Sequence, residues 1–164
     1  LINARSETVA SKPSFREAFR QQRCAILTDG YFEWQREGRR KQPYFFHRTD
    51  HQPFAFAGLW ECWNDPRNGT RIESTTILTM EADETTRPIH HRMPVILPPE
   101  NYDNWLTSES KDASALMIPY MGEIQTWPVA TLVNKVLNDG PELLERLEET
   151  SQAVVSKPAQ MDLF

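Results

Sequence analysis

The sequence has few cysteines and no long apolar run, and each shortage excludes a class of protein. Cys24 and Cys62 are the two cysteines among 164 residues, too few for a disulfide framework or a cysteine metal set. No apolar stretch approaches the length that spans a bilayer, and the start lacks the basic-then-apolar layout of a signal peptide. We therefore expect a soluble, unsecreted protein of the reducing cytoplasm.

The sequence also lacks an overall positive charge. Its net charge of -5 argues against a general nucleic-acid binder. The charge is uneven, because basic residues outnumber acidic ones up to about residue 50 and the remainder is acidic. A local basic face on an acidic protein can still bind phosphates. The basic run over 36–41, around Gly38, is most simply a solvated hairpin tip.

Short strand and helix patterns follow one another along residues 1–149, which we expect to form one domain. Ser14 and Glu17 have the spacing of a capping box, which predicts a helix over 14–21. Turn residues separate strands predicted over 24–28, 31–35, 43–48 and 54–60, which indicates a meander. Further strands are predicted over 74–80, 95–97 and 125–129, and further helices over 99–106, 113–117 and 142–149. Residues 150–164 lose periodicity and are predicted to be a disordered tail.

Glu33 is an acidic residue within an aromatic strand. The preceding Asp29 and Gly30 predict a hairpin turn, since glycine supplies the positive φ that such a turn needs. Alternation along the strand places Glu33 on the face opposite Phe32 and Trp34. The residue then either faces water or lines a cavity. In a cavity, neighbouring aromatic rings would raise its pKa and suit it to general acid or base catalysis.

Residues 87–94 contain two histidines and two arginines between prolines. Prolines at both sides predict a rigid loop that lies outside any sheet ladder. A metal site is disfavoured, because adjacent side chains such as those of His90 and His91 point apart and no third ligand lies nearby in the sequence. One histidine as a general acid or base is the more economical interpretation, and a surface histidine pair is the alternative. We expect no metal and no other cofactor.

Four motifs follow one another in order along the chain. They are Asn3-Ala4-Arg5 with Glu7, Asp29-Gly30-Tyr31-Phe32-Glu33-Trp34, Ile89-His90 with Arg92-Met93-Pro94, and Pro128-Val129 with Val133-Asn134. Together they resemble the SRAP family, the SOS response-associated peptidases. The resemblance runs from residue 3 to about residue 144. It implies a single α+β domain built on a small barrel of mixed strands, with peripheral short helices and a DNA groove across the active site.

The resemblance also implies a reaction with abasic sites in single-stranded DNA. An N-terminal cysteine captures the ring-opened aldehyde, first through its amine and then through its thiol, and a thiazolidine cross-link results. Removal of the leading methionine and a lyase activity would accompany this chemistry. The implied catalytic residues are Asn3, which holds the nucleophilic end, with Glu33 and His90 as acid-base groups. The implied DNA-binding residues are Arg5, Thr79 and Arg92.

The sequence departs from the family pattern at its start. It opens at Leu1 without the N-terminal cysteine. We expect the family's opening segment to precede this residue; the alternative is that the cross-linking chemistry is absent here. Two other functions stay open: a peptidase that acts on other proteins, and a non-catalytic adaptor that binds single-stranded DNA or a sliding clamp.

The last five residues form a separate motif at 160–164. They are similar to the pentapeptide by which bacterial repair proteins bind the replication sliding clamp, with Gln160, Leu163 and Phe164 as the partner-binding residues. An ordinary frayed terminus is the alternative. A bacterial, nucleoid-associated setting follows as a hypothesis.

Overall fold

Nine strands form two sheets within residues 1–148, the part of the chain that the computed structural model describes. The first sheet contains β1 (Asn3–Arg5), β2 (Arg23–Thr28), β5 (Phe54–Asn64), β6 (Arg71–Glu81), β7 (Arg92–Pro94) and β8 (Ile96–Leu97). The second sheet contains β3 (Tyr31–Glu37), β4 (Arg40–Arg48) and β9 (Ile124–Pro128).

The strand order in the first sheet is β1-β6-β5-β2, with β7 beside β6 and β8 beside β5. β1 runs parallel to β6, and the other pairs are antiparallel. The order in the second sheet is β3-β4-β9. The predicted α+β class is confirmed, but the predicted small barrel is wrong in one respect. In residues 1–148 the sheets do not close on each other, because no strand is hydrogen-bonded to both.

Within residues 1–148, four short helices accompany the first sheet. They are α1 (Ser6–Val9), α2 (Arg16–Gln21), α3 (Tyr102–Thr107) and α4 (Ser110–Ala115). Single 3-10 turns lie at Pro99–Asn101, Thr131–Asn134 and Pro141–Leu144. Among the described helices, none combines the length and the apolar character needed to cross a membrane.

Buried apolar residues form two clusters, one on each side of the first sheet. On the helical side, Phe19 of α2 and Trp105 of α3 pack with sheet residues that include Leu78. On the other side, Phe56 of the first sheet packs against Tyr31 of the second, with ring centroids 5.6 Å apart. This second cluster joins the two sheets, and the region between them where Glu33 of β3 meets His90 is named here the inter-sheet crevice.

The predicted hairpin at Asp29 and Gly30 is wrong. β2 pairs with β5 and β3 pairs with β4, so the chain passes from one sheet to the other at this corner. Gly30 does not have a positive φ. A Cβ atom there would lie 2.2 Å from Cζ of Phe45 and 2.6 Å from the carbonyl oxygen of Phe46. Glycine is needed for close approach and not for its backbone conformation.

Of the predicted meander, only the hairpin of β3 and β4 is present. Its tip lies at Gly38, whose φ is 58°, as the sequence predicts. The next strand, β5, returns to the first sheet and pairs with β2, β6 and β8.

Two helix predictions also need correction. The capping box does not form, because Phe15 is the N-cap residue of α2 and no side chain caps the helix start. Glu17 instead accepts a hydrogen bond from Nε2 of Gln21 at 2.6 Å. The helix predicted over 142–149 is a 3-10 turn, after which Arg146 bridges to Val129. Residues 149–164, with the predicted tail and clamp motif, lie outside the described residues.

Candidate functional site

The side chains of Glu33 and His90 meet at the inter-sheet crevice. Glu33 lies on β3, on the same face as Tyr31, and His90 lies in the loop that leads into β7. Nδ1 of His90 is 3.6 Å from Oε2 of Glu33, and the two side chains are 35% and 22% exposed. The fold therefore brings together two residues that lie 57 positions apart in the sequence.

Burial raises the pKa of the Glu33 carboxyl group, because removal from water disfavours the charged form. The charge of His90 and the backbone N–H of Trp34 act in the opposite direction with smaller effects. Glu33 thus retains its proton to a higher pH than an exposed glutamate. A carboxyl group whose pKa is raised in this way suits general acid-base catalysis.

The orientation of His90 is fixed by the backbone of Arg92. Nδ1 lies 2.9 Å from the carbonyl oxygen of Arg92 and 3.3 Å from its backbone nitrogen. The shorter contact favours the tautomer in which Nδ1–H donates to the carbonyl oxygen. Nε2 is then the ring nitrogen that remains for a substrate.

Arg92 is held by contacts on both sides of its guanidinium group. Nη1 donates to Oε1 of Glu7 at 2.6 Å, and Nη2 donates to Oε2 at 2.9 Å. Nη2 also donates to the carbonyl oxygen of Thr79 at 2.5 Å. Arg92 pairs with Glu81 across the ladder of β6 and β7, so the expectation that the whole stretch over 87–94 lies outside a sheet is wrong.

Asn3 and Arg5 lie on β1, which pairs with the strand that carries Thr79. Arg5 is opposite Thr79, and Asn3 is opposite Ile77. Alternation puts Asn3 and Arg5 on one face of the sheet, while Ala4 between them is buried on the other. Since Ile77 packs into the cluster that joins the sheets, this face borders the inter-sheet crevice.

Within residues 1–148, the structure therefore gathers the predicted catalytic and DNA-binding residues on one side of the first sheet. Glu33 contacts His90, Arg92 contacts Thr79, and Arg5 and Arg92 line a common cavity. Asn3 lies two positions before Arg5 on β1, and its side chain makes no hydrogen bond within residues 1–148. Gln160, Leu163 and Phe164 lie outside the described residues.

Two open cavities flank the segment over 87–91, named here the histidine loop. The first has a volume of about 390 Å³ and is lined by Arg5, Glu81, Arg87, His91 and Arg92. The second has a volume of about 410 Å³ and is lined by Trp34, Gln35, Arg36, Arg87, Pro88, Ile89, His90 and His91. We call them the arginine cavity and the tryptophan cavity.

Sequence reasoning missed three residues of these cavities. The sequence pattern places Arg36 in a solvated hairpin tip, yet this residue lines the tryptophan cavity beside His90. Arg87 and His91 line both cavities. For Arg87 and His91, the only sequence signal is the unusual density of basic residues over 87–94.

Two hydrogen bonds hold β3 against its neighbours beside Glu33. Nε1 of Trp34 donates to Oδ1 of Asn134 at 2.7 Å, and Nε2 of Gln35 donates to the carbonyl oxygen of Pro88 at 3.1 Å. The first bond gives Asn134, a residue of the fourth sequence motif, a structural role. The second ties β3 to the histidine loop.

Neither cysteine of the chain lies at the site. Burial raises the pKa of the Cys24 thiol, which leaves it less reactive than an exposed cysteine. Cys62 lies on β5, and its Sγ accepts a hydrogen bond from Nε of Arg71 at 3.0 Å. Within residues 1–148, no three side chains of metal-ligating type converge.

A family model described as SOS response associated peptidase (SRAP) matches residues 1–136. The chain belongs to the SRAP family. This membership confirms the resemblance drawn from the sequence motifs.

Named relatives include the abasic site processing proteins YoqW of Bacillus subtilis and HMCES of Gallus gallus. YoqW is 40% identical over 150 residues, which are 88% of this chain and 66% of YoqW. HMCES is 36% identical over 169 residues, covering 89% of this chain and 50% of HMCES. A crystal structure of a protein from Bacteroides thetaiotaomicron has a TM-score of 0.82 and 33% identity, covering 89% of this chain and 66% of that one. This SRAP chain thus spans between half and two thirds of the length of these three proteins.

Proposed function

We propose that this SRAP chain takes part in abasic-site processing, binding single-stranded DNA with the abasic sugar beside Glu33 and His90. The observation that carries the proposal is the contact of 3.6 Å between these side chains, at the border of cavities lined by arginines. The names of the relatives support the choice of an abasic site as the substrate.

The ring-opened sugar carries an aldehyde, and its capture needs acid-base catalysis. An amine adds to the carbonyl carbon to give a carbinolamine, which loses its hydroxyl group as water and becomes an imine. In its protonated form, Glu33 would donate the proton that this hydroxyl group needs to leave. A thiol on the same residue as the amine would then add to the imine carbon and transfer its proton to nitrogen, closing a thiazolidine.

His90 would act at the preceding step, in which the sugar ring opens. With Nδ1 held by the Arg92 carbonyl oxygen, Nε2 is the atom that can accept the proton of the anomeric hydroxyl group. The bond between C1 and the ring oxygen then breaks as the aldehyde forms, and the ring oxygen takes up a proton from water to become a hydroxyl group. The same pair of residues would serve a lyase step and the removal of a leading methionine. Cys24 and Cys62 lie away from the site, so the amine and the thiol would come from an N-terminal cysteine of the complete protein.

Intact-mass analysis tests the proposal directly. Single-stranded DNA with one abasic site is mixed with this chain and with a form that carries the family's cysteine-led opening segment. We expect a DNA-sized mass increase for the second form only. DNA with a tetrahydrofuran analogue, which has no aldehyde, is the control that must not react.

Substitutions then assign the roles of the two residues. Glu33→Gln and His90→Gln should each slow formation of the adduct by roughly 100-fold or more, the usual contribution of an acid-base group. If the extended protein gains no mass with the abasic oligonucleotide, abasic-site capture is wrong for this protein.

A non-catalytic DNA-binding function is the second candidate, favoured by the linings of the arginine and tryptophan cavities, which contain no cysteine among residues 1–148. It would give salt-dependent binding without a covalent product. A peptidase acting on other proteins would instead cleave a peptide in trans, and the cavities offer no feature that favours it.

Binding to a sliding clamp stays a prediction from the sequence. Its residues Gln160, Leu163 and Phe164 lie outside the described part of the chain. Replacement of Leu163 and Phe164 by alanine should abolish clamp binding, and unchanged binding would remove the idea.

A further inference from the structure

The arginine cavity contains more positive charge than its acidic residues balance. Arg5, Arg87 and Arg92 line it together with His91, and Glu81 is the acidic residue in the lining. The charge of Arg92 is already matched by the two carboxylate oxygens of Glu7. Neither Arg5 nor Arg87 makes an ion pair with an acidic side chain of residues 1–148.

Arg87 is held in place by its own turn. Its backbone N–H donates to the carbonyl oxygen of Asp83 at 2.9 Å, and its Nη2 donates to the carbonyl oxygen of Ala82 at 2.9 Å. Thr86, 1% exposed, donates its backbone N–H to the Asp83 carboxylate at 2.8 Å. The other guanidinium donors of Arg87 remain available for an anion. Because the turn already fixes the side chain, binding an anion costs less conformational entropy.

Arg87 also occupies the boundary between the two cavities. It lines the arginine cavity with Arg5 and the tryptophan cavity with Trp34 and Arg36, and His91 accompanies it in both. A group bound by Arg87 would therefore lie next to His90, whose ring centroid is 4.5 Å from that of His91. A planar guanidinium group with paired donors suits the oxygens of a phosphate.

We propose that Arg87 binds a backbone phosphate of the DNA strand next to the reacting nucleotide, with Arg5 and His91 beside it. This inference rests on the proposed function and extends it, because it adds a phosphate contact at Arg87 to those that the family resemblance implies at Arg5 and Arg92. Arg92 is 14% exposed in its side chain and is engaged by Glu7 and Thr79. It lines the same cavity as Arg87, and its backbone carbonyl oxygen holds Nδ1 of His90.

The test is fluorescence anisotropy with a labelled single-stranded 15-mer that carries one tetrahydrofuran site. Kd is measured over a range of salt concentrations for the wild-type chain and for Arg87→Gln, Arg87→Lys and Arg16→Gln. Arg16 is an exposed arginine of α2, on the other side of the first sheet, so its variant controls for net charge. Thermal melting of each variant checks that the turn still folds.

We expect Arg87→Gln to raise Kd several-fold and to reduce the salt slope by about 0.7, the value for one phosphate contact on a single strand. Arg87→Lys should keep the slope and bind less tightly than wild type, because it retains the charge and loses the paired donors. Arg16→Gln should bind as wild type does.

The failures of the two proposals are distinguishable. If wild type binds with a clear salt slope and Arg87→Gln shows the same Kd and slope, the assignment to Arg87 is overturned and the proposed function stands. An equal loss in Arg16→Gln overturns it as well, because net charge then explains the effect. If wild type itself shows no salt-dependent binding, the proposed function fails and the assignment fails with it.

Discussion

Glu7 and Arg92 form a two-pronged ion pair, with N–O distances of 2.6 and 2.9 Å. Arg92 also donates to the carbonyl oxygen of Thr79, so one guanidinium group joins α1, β6 and β7. The backbone carbonyl of the same arginine accepts the hydrogen bond from Nδ1 of His90. The ion pair therefore supports the histidine of the candidate site through the backbone of Arg92.

Glu7→Gln should destabilise the protein at neutral pH by about 1–2 kcal/mol. The variant leaves Arg92 largely buried without its anionic partner, while the 46% exposure of the Glu7 side chain lets water moderate the loss. Arg92 holds the pKa of Glu7 below its ordinary value of 4.5. The stabilisation is thus present above pH 4.5 and is lost as the pH falls through the lowered pKa. Urea denaturation at pH 7 and at pH 3 measures both effects.

Glu17→Gln is the matched control for this prediction. Glu17 pairs with Arg20 at 3.5 Å, and both side chains are more than half exposed, at 61% and 65%. Its loss should cost less than about 0.5 kcal/mol. An equal cost for the two variants would contradict a special role for the partly buried pair.

Glu33→Gln should gain stability relative to wild type as the pH rises. Burial raises the pKa of Glu33, so the folded state holds this proton more tightly than the unfolded state. As the pH rises from 4.5, the ordinary pKa, to the raised pKa, the wild-type protein therefore loses stability. The glutamine variant has no carboxyl group to ionise and does not lose stability in this way. Melting temperatures of both proteins between pH 4 and pH 8 measure the gap. A gap that does not change with pH would contradict a raised pKa.

A His90→Gln background sharpens this measurement. The charge of His90 lowers the pKa of Glu33. In a protein that carries His90→Gln, the pH-dependent difference in melting temperature between Glu33 and the Glu33→Gln variant should therefore be larger. An unchanged gap would mean that the two side chains do not interact electrostatically.

Local patterns predicted the elements better than their partners. The strand that carries Glu33 and the hairpin tip at Gly38 depend on residues near in sequence, and both are present. The pairing of β3 with β4 and of β2 with β5 depends instead on which buried faces meet across the molecule. The sequence at Asp29 and Gly30 suits a hairpin turn and a corner between sheets equally, so it could not distinguish them.

The site was predictable only in part for the same reason. Glu33 and His90 stand out as polar residues in unusual surroundings, and the fold brings them into contact. The pairing of Glu7 with Arg92 and the position of Arg87 between two cavities leave no pattern in the sequence. Contacts between distant elements create both features.

Gly30→Ala should destabilise the protein by about 1–3 kcal/mol, the usual cost of overpacking. The added Cβ would lie 2.6 Å from a backbone oxygen, that of Phe46, which cannot move aside as a side chain can. Chemical denaturation measures the change. Asp29→Ala, at the exposed neighbouring position, should change stability by less than about 0.5 kcal/mol. Near-wild-type stability of Gly30→Ala would contradict the close approach described for this corner.

Asn134→Leu should release the indole of Trp34 from its present orientation. Oδ1 of Asn134 accepts the indole N–H at 2.7 Å, and the bond is solvent-exposed, so its loss should cost less than about 1 kcal/mol. The sharper readout is hydrogen exchange of the indole protons followed by NMR, in which the Trp34 proton should exchange faster. The indoles of Trp105 and Trp127 donate to backbone carbonyl oxygens elsewhere, each at 2.9 Å, and serve as internal controls. Asn134→Asp keeps the accepting oxygen and should retain the slow exchange, whereas equal exchange in both variants would contradict the bond.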